Sequence, residues 1–249
     1  MLRMKIKNFL NRLILNKVSL IVVFTGLVLS MMAFKEVLKW EHQKIQAGFE
    51  RAAEKCFWVL EREIDSALDV LLALKAFYAT SQNINRSQFR DFVSSLLSRH
   101  AGIQALGWIP LIEDSQKERY ETAAKRDGSP DFQITEKESQ GKMVRASKRK
   151  EYFPVYFVEP YKGNEITLGV DLAADRTRLE ALDLARNKGE MVATGRVKLL
   201  EETGNQFGLL VFIPVYQKGA SVGSIQARRI NLEGFILGVF RIGDIFKES

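Results

Sequence analysis

Tyr152–Leu200 reads YFPVYFVEPYKGNEITLGVDLAADRTRLEALDLARNKGEMVATGRVKLL, and its pattern decides the fold class. Tyr152–Val158 is rich in aromatic and β-branched residues, the composition a pleated, half-buried surface favours, and is expected to be a strand. Tyr161–Asn164 carries a Lys-Gly-Asn turn signal, and Ile166–Leu172 is a second apolar run expected to be another strand. Asp175 stands where a helix N-cap belongs, its carboxylate placed to accept from the first unpaired N–H groups. Leu179, Leu182, Leu184 and Ala185 give that helix an apolar stripe, and Gly189 suits its C-terminal end. Met191–Val197 then returns as a strand. The stretch builds a sheet with a helix laid on it, a place to hold a small molecule.

To the C-terminal side, Gly208–Tyr216 (GLLVFIPVY) is the most apolar strand in the chain, Lys218–Arg229 a Gly/Ser loop with a basic end, and Gly234–Ile242 a last strand. A helix starts at Asp244–Phe246. To the N-terminal side, Ser87–Ser98 is a short amphipathic helix with Phe89, Phe92, Val93, Leu96 and Leu97 on its apolar face. Ile103–Ile109 is a strand closed by Pro110, Asp114–Arg126 a charged surface helix, and Phe132–Thr135 a brief strand. Gly141–Lys150, with five Lys or Arg and no acid, reads as a solvated loop. The order of elements implies an α+β plan, a mostly antiparallel sheet with helices to one side.

The first third is different in kind. Val18–Phe34 (VSLIVVFTGLVLSMMAF) carries no charge, and with Leu13–Leu15 ahead of it the apolar zone reaches the ~20 residues a membrane-crossing helix needs. Ser30-Met31-Met32-Ala33 is a poor signal-peptidase site, so the segment reads as an uncleaved anchor over 18–35. Of the formal net charge of +7, five positive charges (Arg3, Lys5, Lys7, Arg12, Lys17) precede residue 18 without an acid. A basic tail over 1–17 beside an apolar segment stays in the cytoplasm, which places later residues outside, on the periplasmic side of the inner membrane, in a single-pass topology. That distribution also explains the charge without nucleic acid, for which no binding module is present.

Residues 36–80 contain one glycine, Gly48, and no proline. Phe49, Ala53, Cys56, Leu60, Ile64, Ala67, Leu71, Leu74 and Tyr78 fall at steps of three and four, one face of a long helix. At 1.5 Å per residue such a helix reaches roughly 65 Å, more than one small core needs, and suits a stalk that pairs with a copy of itself in a homodimer. Thr80–Asn85 ends it. Cys56, the one cysteine, leaves no internal disulfide.

Catalytic signatures are absent. His42 and His100 have no cysteine pair or carboxylate spacing for a metal, no nucleophile elbow accompanies them, and no Walker loop or dinucleotide fingerprint occurs. No catalytic residue, metal or cofactor is expected in this chain. Tyr152, Tyr156, Thr194, Phe212 and Tyr216 could instead line an aromatic pocket with a few polar groups, and Asp171 is a lone acid at the end of an apolar run.

Gly102–Pro110 (GIQALGWIP), Tyr-Phe-Pro-Val at 152–155, Glu159-Pro160, Gly163-Asn164-Glu165, Gly-Val-Asp-Leu at 169–172, Gly208–Tyr216, Gly234-Phe235 and Gly238–Arg241 together closely resemble the CHASE domain. That family is the extracytoplasmic sensory module of membrane histidine kinases and nucleotide cyclases. The resemblance covers roughly Phe77 to Phe246. It implies two PAS-like subdomains within 81–249: a membrane-distal, ligand-holding one over about 87–216 and the start of a proximal one over about 217–249. Positions matching the family's pocket strands include Leu199 and Leu200, and the candidate ligand-binding set is Tyr152, Pro154, Val155, Val170, Asp171, Thr194, Phe212 and Tyr216. Plant members bind cytokinins. The basic run Lys148-Arg149-Lys150 departs from their pattern, so an anionic or otherwise different small molecule is expected. The family's second membrane span and output domain are not represented, which suggests the front part of a longer receptor. The competing expectation is an envelope scaffold that binds proteins and holds no ligand.

Overall fold

The computed structural model describes the backbone of residues 2–81, 83–100, 102–138, 141–198 and 207–241. Leu199 and Leu200 and the helix start at Asp244–Phe246 lie outside the described residues. So do the side chains of the basic tail, of His42 and Cys56, and of Phe49, Ala53 and Leu60 on the expected stalk face.

The chain divides into two compact units, Met1–Trp58 and Val59–Ser249. In the first, every described residue belongs to the helix α1 (Leu2–Thr80). Leu20–Glu41 within it, of mean hydropathy 1.9, is long and apolar enough to cross a membrane. Every described side chain of this unit is exposed, Leu20, Phe24, Leu27 and Met31 among them. Apolar surface this continuous is stable only when lipid or another protein covers it.

The second unit contains the end of α1, whose periodic Ala67, Leu71 and Leu74 are buried, joined by Val70. Helix α2 (Arg86–Leu97) follows. Asn85 accepts the Gln88 N–H at 2.9 Å while Gln88 Oε1 accepts the Asn85 N–H at 3.0 Å, so two otherwise orphaned donors of the first turn are satisfied.

The strands β1 (Ile103–Pro110), β6 (Phe157–Glu159), β7 (Val192–Ala193), β8 (Gly208–Tyr216) and β9 (Leu232–Arg241) form one antiparallel sheet in the order β6-β1-β9-β8-β7. Two short pairs flank it: β2 (Ile112–Glu113) with β5 (Glu151–Tyr152), and β3 (Thr135–Lys137) with β4 (Met143–Arg145). Helix α3 is Lys117–Arg126, α4 Arg176–Lys188 and α5 Ile225–Ile230.

Both faces of the sheet are covered, which corrects the expectation of helices to one side. In β8, Val211, Ile213 and Val215 share a core with Leu71 and Leu74 of α1 and Phe89 and Val93 of α2. Leu210 and Phe212, pointing the opposite way, share a second core with Ala181, Leu182 and Ala185 of α4. A strand buried on both faces reads as an unbroken apolar run, which is why GLLVFIPVY shows no alternation. Leu184 does not belong to the α4 stripe; it is exposed. The segment 217–249, expected to begin a proximal subdomain, contributes β9 to the middle of this same sheet, between β1 and β8.

Three more local expectations are corrected. Tyr152–Val158 is not one strand: Pro154 cannot donate to a ladder, and the run splits into β5 and β6, which pair with different partners. Ile166–Leu172 is not a strand either. Glu165–Thr167 and Leu172–Ala174 are single 3₁₀ turns, with isolated bridges at Val170 and Asp171 between them. The break is Gly169, at φ +81°, where the chain passes so close to Gln133 that an added Cβ would lie 2.1 Å from its carbonyl oxygen. Gly141–Lys150 is not a free loop: β4 lies in it, Arg145 pairs with Glu121 at 3.0 Å, and Arg149 pairs with Asp171 at 3.0 Å and with Glu136.

Asp171 is the knot of this region. Its side chain is fully buried; Oδ1 accepts the Phe153 N–H at 2.8 Å and the Ala173 N–H at 3.1 Å, and Oδ2 holds Arg149. Burial pushes the Asp171 carboxyl up from its ordinary range, against the Phe153 N–H and Arg149, which pull it down. Glu136 moves the other way. Burial would raise it too, but the hydroxyl and amide of Ser147 and the Arg149 guanidinium outweigh that and hold it below the usual carboxylate range. The two acids share one arginine and differ in depth, with 0% and 15% side-chain exposure.

Gly169→Ala should cost about 2–5 kcal/mol, combining left-handed backbone strain with the backbone clash, whereas Gly223→Ala, with open space around it, should be nearly neutral. Thermal melts of the two variants decide it; equal effects would discard the close approach. Asp171→Asn should cost about 1–3 kcal/mol, and Asp171→Ala more, because the alanine also leaves two buried N–H groups without acceptors. The asparagine variant also has a sign in pH. The raised Asp171 favours the fold in acid and loses that advantage as pH rises through its folded value. The lowered Glu136 supports the fold above the ordinary glutamate range and loses that support as pH falls through its own. They oppose each other in the wild type, so the stability gap between wild type and Asp171→Asn should widen on acidification; a gap that narrows would refute the opposite shifts.

Candidate functional site

A cavity of about 470 Å³ opens beside the start of α4, within the usual size range for small-molecule sites. Four pieces of chain wall it: Lys137 and Glu138 from the β3–β4 hairpin, Val170 and Asp171 from the segment after Gly169, Ala174, Asp175, Thr177 and Arg178 at the helix entry, and Arg196, Val197 and Lys198 after β7. Each piece is fixed by bonds already forced by the sequence. Asp175 caps α4 as expected, accepting the Arg178 N–H at 3.0 Å, and Gly189, at φ +76°, ends the helix. Thr135 N–H donates to the Gly169 carbonyl at 2.9 Å and Asp171 N–H to the Thr135 carbonyl at 2.8 Å, tying the hairpin to the next wall. Val197 exchanges both backbone bonds with Gly208, at 3.0 and 2.9 Å, and so hangs the fourth wall on β8.

Of the eight candidate ligand-binding residues, Val170 and Asp171 line this cavity. The other six are the frame around it. Tyr152 is fully buried, its hydroxyl donating to Asp114 at 2.9 Å and accepting the Arg149 N–H at 3.1 Å, with the Lys117 ammonium 4.5 Å from the ring centroid. Burial lowers Lys117 from its ordinary value, and its ammonium donates to the Ala146 carbonyl at 3.1 Å. Pro154 bridges to Asp171, and Val155 N–H donates to the Val170 carbonyl at 3.0 Å. Thr194 pairs through its N–H and its Oγ1 with Leu210, at 2.8 and 3.1 Å. Phe212 packs against Phe235 in the core, and the Tyr216 hydroxyl donates to the Arg186 carbonyl at 3.0 Å.

The lining residues outside the sequence-derived set are mostly polar: Lys137, Glu138, Asp175, Thr177, Arg178, Arg196 and Lys198, with Ala174 and Val197. One signal was available. Helix α4 carries Arg176 and Arg178 in its first turn, beside the carboxylate of its Asp175 cap.

A second cavity, of about 340 Å³, lies on the α1 side of the sheet among Ile64, Leu68, Met191, Leu209, Val211 and Phe240. Its wall is apolar apart from His100, whose Nδ1 sits 3.1 Å from the Ser66 hydroxyl. It lacks the convergent polar groups that orient a ligand, so the cavity beside α4 is the candidate site.

Over 219 residues the chain is 24% identical to Hybrid signal transduction histidine kinase A of Dictyostelium discoideum, covering 84% of this chain and 10% of that protein. Over 154 residues it is 23% identical to the germination-specific adenylate cyclase of the same organism, covering 61% of this chain and 18% of that protein. The chain therefore spans less than a fifth of the length of either relative. The CHASE domain model matches residues 82–249, from the residues just before α2 through the whole sheet, and the chain belongs to the CHASE domain family.

Proposed function

We propose that this chain is the membrane-anchored, extracytoplasmic input module of a signal-transduction receptor, and that it senses a small molecule bound in the cavity beside α4. Membership of the CHASE family makes residues 82–249 a sensory input module. The match to that family, shared with regions of a histidine kinase and an adenylate cyclase, carries the reading most. Relatives with two different enzymatic outputs have in common the sensing of a signal, not one catalytic reaction. Three observations support the finer parts. Leu20–Glu41 is exposed, apolar and preceded by the basic tail, which favours an anchor whose downstream residues are outside the cytoplasm. The five-stranded antiparallel order β6-β1-β9-β8-β7, with helices on both faces, supports a PAS-like reading of this part of the chain. Ile64 and Leu72 of α1 are 42% and 48% exposed, an apolar surface suited to pairing with a second α1 in a homodimer.

In this reading the chain has no catalytic role; catalysis belongs to an output domain of a longer receptor. The ligand acts by binding one state of the sensor more tightly than another, because a ligand with equal affinity for both shifts nothing.

Two measurements test the proposal. In a Cys56→Ser background, Lys218→Cys should react with a membrane-impermeant maleimide in intact cells; labelling that requires lysis would place the sensor inside and end the extracytoplasmic reading. A metabolite panel applied to the purified full chain should contain compounds that raise its melting temperature by mass action. Thr177→Trp, which fills the cavity from an exposed wall position, should abolish that rise. A rise that survives Thr177→Trp would move the site elsewhere, and a panel without effect would favour the ligand-free scaffold.

A further inference from the structure

The cavity on the α1 side of the sheet shares no lining residue with the one beside α4. It is enclosed by α1, by the start of β1 and the turn before it, and by β7, β8 and β9. Its volume of about 340 Å³ follows from small residues where larger ones would fit: Ala67 on the buried side of α1, Ala193 on β7 and Gly102 ahead of β1. A Cβ added at Gly102 would meet nothing within 4 Å. Leu71, Leu74 and Phe89 of the same core are fully buried, so the open space is local.

One polar group interrupts this apolar wall among the described residues, and it is held in place. The His100 N–H donates to the Leu97 carbonyl at 3.2 Å, the His100 carbonyl accepts the Ile103 N–H at 3.1 Å, and Nδ1 lies 3.1 Å from the Ser66 hydroxyl on α1. With Nδ1 engaged, Nε2 is the ring atom left for a ligand; among the described residues it has no hydrogen-bond partner. Nε2 offers one hydrogen bond, as donor or as acceptor according to which way the Ser66 hydroxyl points. One such bond orients a neutral group and is too little to compensate a buried charge.

We propose that this cavity is a second binding site, for an uncharged molecule with an apolar body and one hydrogen-bonding atom met by His100 Nε2. A fully apolar cavity of about 150 Å³ takes up benzene, so one roughly twice as large suits a bicyclic body of about ten non-hydrogen atoms. The site goes beyond the α4 reading and does not depend on it. Its occupant lies directly against Ala67 and Leu68 of α1, with Val211 of β8 in the same wall, and bears on the contact between helix and sheet without passing through the walls beside α4.

The test uses the full chain in lipid nanodiscs, with indole, quinoline and naphthalene as probes at about 0.2 mM and succinamide as a polar control. The three bicyclic probes are close in size and differ in one respect: indole donates a hydrogen bond, quinoline accepts one and naphthalene does neither. Indole or quinoline should raise the melting temperature by about 2–4 °C, roughly twice the shift naphthalene gives, and succinamide should give none. Partition into the lipid is the same for every variant, so differences between variants report the cavity. Gly102→Leu, and Ala193→Phe from an exposed wall position, each fill the cavity and should abolish the shifts; two fillers keep the test decisive if one of them does not fold. His100→Phe keeps an apolar wall and should lower indole and quinoline to the level of naphthalene. Thr177→Trp, in the other cavity, should leave the shifts of these probes intact. A shift that survives a folded filler variant, or that Thr177→Trp removes, places the probe elsewhere and overturns the site. A succinamide shift as large as the others, or equal shifts from all three bicyclic probes, overturns the class of ligand. If no bicyclic probe shifts the melt, the proposal is refuted, and the metabolite panel still decides the reading of the cavity beside α4.

Discussion

A carboxylate without solvent exposure survives in a protein only if its charge is met, and Asp171 organises the layer beside the α4 cavity because three separate parts of the chain must come to it. Phe153 and Ala173 bring backbone N–H groups, and Arg149 brings a guanidinium that it shares with Glu136. These bonds connect the β3–β4 hairpin, the segment around Pro154 and the entry to α4. None of the three is a regular strand of the main sheet. They are held by hydrogen bonds and an ion pair where the sheet is held by its ladder, and they leave between them a cavity that close packing of apolar side chains would have filled.

The legible parts of the sequence were those where one local rule acted alone. Gly208–Tyr216 is a strand to the residue, because nothing in GLLVFIPVY competes with its β preference. Asp175 and Gly189 mark the two ends of α4 because capping is a local chemistry of side chain and backbone. The misreadings occurred where long-range contact overrode composition. Ile166–Leu172 has strand-like composition, but Gly169 must take a left-handed turn to pass Gln133, and its neighbours cannot then stay extended. Gly141–Lys150 looks solvated by charge, yet its arginines find acids at 121, 136 and 171, far away in sequence.

The candidate site was harder to read for a related reason. Aromatic residues on strands suggested a lining, but in a sheet covered on both faces most of them are structural. Tyr152 of the short β2–β5 pair is buried in the core cluster that also holds Leu71 and Leu74, Phe212 in the α4 core, and Tyr216 fastens a helix carbonyl. The residues that do line the cavity sit at element ends and in connections, where polar side chains can reach a space without being enclosed by apolar neighbours. Of the candidates, Asp171 and Val170 line the cavity, and both lie in the 169–172 stretch on which the family resemblance rests.

The arrangement also constrains how a signal could leave the cavity. Successive residues of β8 serve opposite sides: Phe212 packs with α4 and Val211 with the core that holds Leu71 and Leu74 of α1. Only one layer of backbone separates the α4 core from the α1 core. Gly238 in β9 makes the contact closer still, since an added Cβ there would lie 2.8 Å from Leu71. A close-packed core does not deform continuously; it exchanges one packing for another. A ligand that draws the walls around Arg178 together therefore pulls on Val197, bonded to Gly208 at the start of β8, and the strand cannot shift without repacking against α1. In a sensor that binds its signal in this cavity, the hydrogen-bonded wall would be the part that adapts, and the doubly buried strand would pass that adaptation to the packing of α1.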